Sequence, residues 1–290
     1  MMKFGTYFAY WEQEWAADYA YYCNKVANLG FDILELGAGA LVEMDDSQLK
    51  HIKDTAQKAG ISLTGCIGLP AQYDTSSADE SVRKAGIEFL KKIIVALEKV
   101  DAHVLGGIIY AYWPYDYSQP VDKEATRARS IQSMLEIADF AQEHGVLLAL
   151  ETVNRFEHFL INSSQEATQL AKDIGHPNVK ILLDCFHMNI EEDFLGDAIR
   201  TCGSHLGHFH IGECNRKVPG KGHMPWDEMG QALHDIAYDG AVVMEPFVRP
   251  GGTVGSDIKV WRDLSDSADE KKLDADIKEA LQFIKQKFSK

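Results

Sequence analysis

No apolar run in this chain approaches the roughly 20 residues needed to span a bilayer, so no membrane partner is expected. Nor is there a dense lysine and arginine cluster. The 29 basic residues against 44 acidic ones leave a formal net charge of −15. That disfavours nucleic acid and other anionic partners, and a small neutral ligand fits better. The five cysteines (Cys23, Cys66, Cys185, Cys202 and Cys214) are scattered, odd in number and contain no C-x-x-C pair. Neither a disulfide framework nor a thiolate zinc cluster is expected. Cys185, beside Asp184, reads as a free, half-buried thiol. No stretch rich in Pro, Gly and Ser divides the 290 residues, so residues 1–290 read as one domain. The segment Met1-Met2-Lys3-Phe4-Gly5-Thr6-Tyr7 lacks the apolar region of a secretory leader, and a cytoplasmic location is expected.

What is present is alternation. Short, branched-rich apolar runs predict strands at 4–10, 32–37, 61–67, 103–109, 146–151, 179–184, 206–211 and 241–246. Between them lie segments of helical periodicity. Val82, Phe89, Leu90, Ile93 and Leu97 share a face after the cap candidates Ser76 and Ser77. Ile131, Met134, Leu135 and Ala138 form another stripe, and Leu273, Ile277, Leu281 and Ile284 a third. Eight strand–helix units require parallel strands joined by helical crossovers. A (β/α)₈ TIM barrel and a doubly wound open sheet both satisfy this. The barrel explains more, because it brings every strand's C-terminal end to one mouth.

Four consecutive predicted strands stop on a polar side chain. Glu151 follows Val146–Leu150, Asp184 follows Val179–Leu183, His210 follows Leu206–Phe209, and Glu245 follows Ala241–Met244. Three carboxylates and one imidazole gathered at one mouth carry a formal charge of about −3, which calls for a cation or shifted pKa values. An oxygen-rich set with one imidazole suits one Mn²⁺, Mg²⁺ or Co²⁺ ion. His208 shares a strand face with His210 and reads as a hydrogen-bonded interior residue. Glu157, His187 and Arg216 stand on the loops after three of these strands, where they could bond a polyhydroxylated ligand. Two aromatic groups, Tyr7-Phe8-Tyr10-Trp11-Trp15 and Tyr110-Tyr112-Trp113-Tyr115-Tyr117, read equally as a sugar-stacking wall and as core or subunit contact. The glycine-rich Gly251–Ser256 lacks the Lys–Ser/Thr pair of a phosphate-binding P-loop and reads as a mobile loop capping the next helix, so no organic cofactor is expected.

Several longer stretches carry a family resemblance. Glu151-Thr152-Val153-Asn154-Arg155-Phe156-Glu157, Phe186-His187-Met188-Asn189-Ile190-Glu191-Glu192, Gly212-Glu213-Cys214-Asn215-Arg216 and Met244-Glu245-Pro246-Phe247 resemble the ketose 3-epimerases, which include D-tagatose and D-psicose (allulose) 3-epimerases. The opening Tyr-Trp stretch and Val260-Trp261-Arg262-Asp263 are similar as well, so the likeness runs essentially end to end. The resemblance implies a TIM barrel holding Mn²⁺ or Co²⁺ on Glu151, Asp184, His210 and Glu245. It implies substrate contacts at Glu157, His187 and Arg216, with pocket aromatics at Tyr7, Trp15 and Trp113. It also implies a homodimer or homotetramer. Gly65-Cys66-Ile67-Gly68-Leu69-Pro70 looks more like tagatose-type members and the rest more psicose-type, which leaves the preferred sugar open.

Epimerising a ketose at C3 means taking a proton from one face and returning one to the other. The charge passes through an enediolate that a divalent cation would hold. Glu151 and Glu245 are the expected acid/base pair. An aldose–ketose isomerase of the same barrel type would instead move a proton between C1 and C2. A non-catalytic sugar-binding protein would not need two carboxylates flanking one carbon. A zinc endonuclease barrel would want more ligands and a basic surface.

Overall fold

A computed structural model describes residues 1–118 and 120–289. Eight strands close into one parallel barrel in chain order. They are β1 (Lys3–Tyr7), β2 (Ile33–Gly37), β3 (Ser62–Leu69), β4 (Ala102–Tyr112), β5 (Leu147–Thr152), β6 (Val179–Asp184), β7 (Leu206–Ile211) and β8 (Ala241–Met244). Closure comes from β1 pairing with β8, with Gly5 opposite Val243 and Thr6 opposite Met244. The barrel is therefore the architecture, and the open sheet is excluded.

The helices are α1 (Tyr19–Leu29), α2 (Asp46–Ala59), α3 (Glu80–Val100), α4 (Lys123–Glu143), α5 (Ser164–Ile174), α6 (Cys185–Glu191), α7 (Leu195–Cys202), α8 (Trp226–Asp235), α9 (Gly252–Asp257) and α10 (Glu270–Lys287). Leu273, Ile277, Leu281 and Ile284 of α10 are all buried, as their spacing predicts. Each such side chain contributes roughly 1.5–3 kcal/mol when removed from water. In the α4 stripe Met134 and Ala138 are buried, but Leu135 is exposed.

Strand ends depart from the expectation in physically simple ways. β1 stops at Tyr7, and Phe8–Tyr10 is a buried 3₁₀ turn that carries the chain out of the barrel. β8 stops at Met244 because Pro246 has no N–H to continue the ladder. β4 runs on to Tyr112, which pairs with Leu69 across an irregularity in the register. Just before that irregularity, Gly107, opposite Ile67, must be glycine: its φ is 111°, and a Cβ there would lie 2.1 Å from the Ile67 carbonyl oxygen. Asp79, not Ser76 or Ser77, caps α3 by accepting from the Ser81 N–H. Ser77 Oγ instead accepts from the Asp79 N–H within the preceding turn. Gly251–Ser256 is not an open loop, since most of it is the short helix α9. Bonds that dock that helix on the β1 loop include Val254 N–H to the Gln13 carbonyl (3.0 Å) and Thr253 Oγ1 to Glu14 (2.7 Å). Among the described residues, no helix is long and apolar enough to cross a membrane.

Candidate active site

A cavity of about 590 Å³ opens at the C-terminal end of the barrel. Tyr7, Trp15, Trp113, Glu151, Glu157, His187, Arg216 and Glu245 line it. Asp184 and His210 stand buried beside it, 1% and 0% exposed. Ligand atoms of Glu151, Asp184, His210 and Glu245 all lie within 4.8 Å of one another. Glu151 sits in β5, Asp184 ends β6, His210 is the penultimate residue of β7, and Glu245 is the first residue past β8. Four strand ends thus converge on one point from half the barrel's circumference.

So much buried negative charge needs compensation. Arg216 supplies part of it: its Nη1 is 2.7 Å from Asp184 Oδ2 and 3.0 Å from Glu245 Oε2. The guanidinium is sandwiched by aromatic faces, 3.8 Å from the Phe186 ring centre and 5.3 Å from that of Phe247. Arg216 takes a left-handed φ of 65°, an uncommon conformation for a bulky residue. Its N–H donates to the Glu213 carbonyl and its own carbonyl accepts from Phe247, and these two bonds hold the turn. Burial raises the Glu151 carboxyl above the usual range. Asp184 goes the other way: burial opposes it, but Arg216 and then His187 hold it below the usual range.

His187 is oriented by Asn154. The Asn154 backbone N–H (3.2 Å) and side-chain amide (2.8 Å) both approach His187 Nδ1. In the neutral ring Nδ1 is therefore the acceptor and the proton sits on Nε2, which faces Glu151 (3.6 Å) and Asp184 (3.7 Å). The same amide also donates to Glu157 Oε1 at 2.9 Å, while Trp113 Nε1 donates to Glu157 Oε2 at 2.8 Å. Glu157 lies below its ordinary range: burial would raise it, and the nearby His187 and Arg216 charges more than offset that.

The two aromatic groups divide by depth. Tyr7, Trp15 and Trp113 wall the cavity. Phe8, Tyr10, Trp11 and Tyr110 belong to the core, where Tyr110 Oη donates to the Glu151 carbonyl (2.9 Å). Tyr115 packs on His158 and Phe159 away from the cavity. Trp15 is fixed by an Nε1–H bond to Asp257 Oδ2 (2.7 Å), so α9 contributes to the rim. Cys185 is fully buried, and its thiol donates to the Gly212 carbonyl.

One buried carboxylate escapes the strand-end pattern. Glu35, in the middle of β2, is wholly buried and faces both β7 imidazoles. Its Oε2 is 2.8 Å from His208 Nε2, and its Oε1 is 2.6 Å from His210 Nε2. Both approaches are charge contacts lying off the axis of an aligned hydrogen bond. Burial would raise the Glu35 carboxyl, but the His210 and His208 charges hold it well below the usual range. His208 is thus an interior residue, as expected, but it meets Glu35 through a charge contact and not through the expected hydrogen bond.

The residues fit a metal ion. Three carboxylates and an imidazole form a hard-to-borderline donor set. Both ring nitrogens of His210 are buried without a hydrogen-bond partner, and Nδ1, 3.5 Å from Glu245 Oε1, is the one that faces the cluster's carboxylates and could take a ligand bond.

A family model described as a xylose isomerase-like TIM barrel matches residues 23–287. The D-psicose 3-epimerase of Ruminiclostridium cellulolyticum is 54% identical over 282 residues, 97% of this chain and 96% of that protein. The chain belongs to the ketose 3-epimerases. A second relative of this epimerase, the D-psicose 3-epimerase of Agrobacterium fabrum, is 53% identical over 97% of this chain and 98% of its own length. The crystal structure of a D-psicose 3-epimerase with D-tagatose from Clostridium cellulolyticum H10 superposes with a TM-score of 0.98 at 53% identity, covering 99% of both chains. The epimerase is accordingly an isomerase acting on carbohydrate.

Proposed function

We propose that the chain interconverts free ketohexoses at C3, with D-fructose and D-psicose as the leading pair. D-tagatose/D-sorbose is a further ketohexose pair, and L-ribulose/L-xylulose a ketopentose pair. The observation that carries this reading is the placement of Glu151 and Glu245. They stand on strands three apart around the barrel, yet their oxygens lie within 4.8 Å, close enough to serve two faces of one carbon. Glu151, Asp184, His210 and Glu245 would hold Mn²⁺ or Co²⁺, with Mg²⁺ as a third choice, which when bound supplies Lewis-acid polarisation of a carbonyl.

The chain's own groups account for the remaining steps. One glutamate takes the C3 proton, and the C3–H bonding pair moves into the C2–C3 bond as the C2 oxygen gains charge. The other glutamate gives a proton to the opposite face of C3. His187 Nε2–H and the Arg216 guanidinium are the donors available to O1 and O2. Glu157, held by Trp113 and Asn154, accepts from hydroxyls further along the sugar. Tyr7, Trp15 and Trp113 offer apolar faces to the C–H faces of the ring.

The same reading includes a homodimer or homotetramer, for which the large exposed apolar side chains Phe156 (74% exposed) and Phe194 (66% exposed) are available contact residues.

The test is NMR of Mn²⁺-loaded protein with each ketose in D₂O, beside a chelator-stripped control. Deuterium at C3 with a 3-epimer accumulating, lost on stripping, is expected. Label at C1 or C2 would establish an aldose–ketose isomerase instead. Exchange in none of the sugars would leave a binding protein.

A further inference from the structure

We infer that Glu35 is a positioning residue for His210, and that it sets the affinity of the cluster for its cation. The inference rests on reading Glu151, Asp184, His210 and Glu245 as a metal site. Glu35 projects from β2 into the barrel interior, where it and both β7 imidazoles are 0% exposed. A carboxylate in that position needs charge partners at once. The groups that meet it are His210 Nε2 at 2.6 Å, His208 Nε2 at 2.8 Å and the Thr64 hydroxyl at 2.8 Å. Thr64 stands opposite Glu35 in the β2–β3 ladder, so its bond to Oε2 anchors the carboxylate from the adjacent strand.

The geometry decides what Glu35 does for the site. A metal-ligating imidazole almost always has its other ring nitrogen engaged by a carboxylate, carbonyl or water. Glu35 Oε1 stands 2.6 Å from Nε2 in a charge contact, while Nδ1 lies 3.5 Å from Glu245 Oε1. The two His rings, 5.0 Å apart and edge to face, divide the two carboxylate oxygens between them. His208 thereby fixes the Glu35 head group in place. Glu35 also places a negative charge behind the imidazole, which strengthens its donation to a cation. A second donor trio, Glu35, Cys66 and His210, shares two of these residues, so the test must tell the two apart.

Mn²⁺ affinity, read by EPR of the free ion, is the measurement, with the Tm of stripped protein alongside. Glu35→Gln keeps the shape and removes the charge. Its Mn²⁺ dissociation constant is expected to rise about 10–100-fold, and the d–d bands of the Co²⁺-loaded form to shift. A merely structural role would lower the stripped Tm and leave the affinity in place, which would overturn the inference. If Glu35→Gln does not fold, Thr64→Val removes one bond to Oε2 without touching either histidine. A severalfold weaker Mn²⁺ affinity is then expected, and an unchanged one overturns the inference. Cys66→Ser is expected to bind Mn²⁺ as the wild type does. Weakened binding there would move the ion to the Glu35–Cys66–His210 trio and overturn the inference too. Wild-type protein that takes up no Mn²⁺ would overturn the metal-site reading itself, whereas wild-type uptake with unchanged Glu35→Gln affinity would overturn only the role of Glu35.

Discussion

Around one barrel mouth, β5 to β8 deliver Glu151, Asp184, His210 and Glu245, whereas β1 to β4 deliver Tyr7, Gly37, the Cys66–Gly68 stretch and Ile108. The first set is charged and mutually close. The second is apolar, aromatic or lacks a side chain. The barrel thus divides its labour, with half of the strands supplying reactive groups and the other half supplying shape. Side-chain contacts at the site link the halves. Trp113, from the loop after β4, donates to Glu157. Glu35, from β2, grips the β7 histidines. On the proposed reading, such a site could change its sugar by altering the wall while the carboxylates proposed to handle the proton stay in place.

The division can be broken most severely on the charged side. Asp184→Asn removes a charged member of the cluster and weakens its contact with buried Arg216. Mn²⁺ affinity is expected to fall more than the roughly 10–100-fold typical of an outer-shell change, and EPR titration checks this. A smaller effect is expected at the wall. A Cβ on Gly68 would lie 2.7 Å from Trp113 Cε3, so Gly68→Val must push the indole off its bond to Glu157. KM for the ketose is expected to rise about tenfold, with kcat changed less, because overpacking of this kind costs about 1–3 kcal/mol. Equal losses in kcat and KM would show that the wall takes part in the chemistry.

At the seam between the halves the effect falls on stability and leaves the site in place. His158, after β5, is buried against Tyr110, Tyr112 and Tyr115 of the β4 side. Burial, with a smaller push from Lys123, brings its pKa from 6.5 down to about 4. The unfolded chain therefore binds a proton that the folded one excludes. The stability tied to neutral His158 is present above about pH 6.5 and is lost as pH falls toward 4. The loss amounts to about 3 kcal/mol at most. His158→Phe should flatten the dependence of Tm on pH in that window, and an unchanged slope would place the acid sensitivity elsewhere.

The division itself is legible in the sequence because β5 to β8 are short apolar runs interrupted by a charged residue at the C-terminal end. A buried strand has few reasons to stop on a carboxylate. The alternation of strands and helices likewise carries the barrel. Glu35 is not legible in the same way. Within Ile33-Leu34-Glu35-Leu36 it reads as one polar position in a strand, and its burial depends on histidines about 175 residues further along. Asn154 hides for a different reason. It stands inside the quoted Glu151–Glu157 motif, but its effect on His187 depends on hydrogen-bond directions that spacing does not encode. The glycine-rich α9 runs against local propensity, since glycine disfavours helix. Its contacts with Gln13 and Glu14 hold it in that form. The aromatic groups could be divided only by depth, which tertiary packing sets.

The most direct measurement is wash-in of solvent deuterium at C3 of D-fructose and D-psicose by Glu151→Gln and Glu245→Gln, each loaded with Mn²⁺ and compared with the wild type. Each substitution is expected to slow exchange by about 10²–10⁴-fold, the usual contribution of a positioned acid/base group. Exchange at the wild-type rate in either variant would contradict the two-carboxylate account.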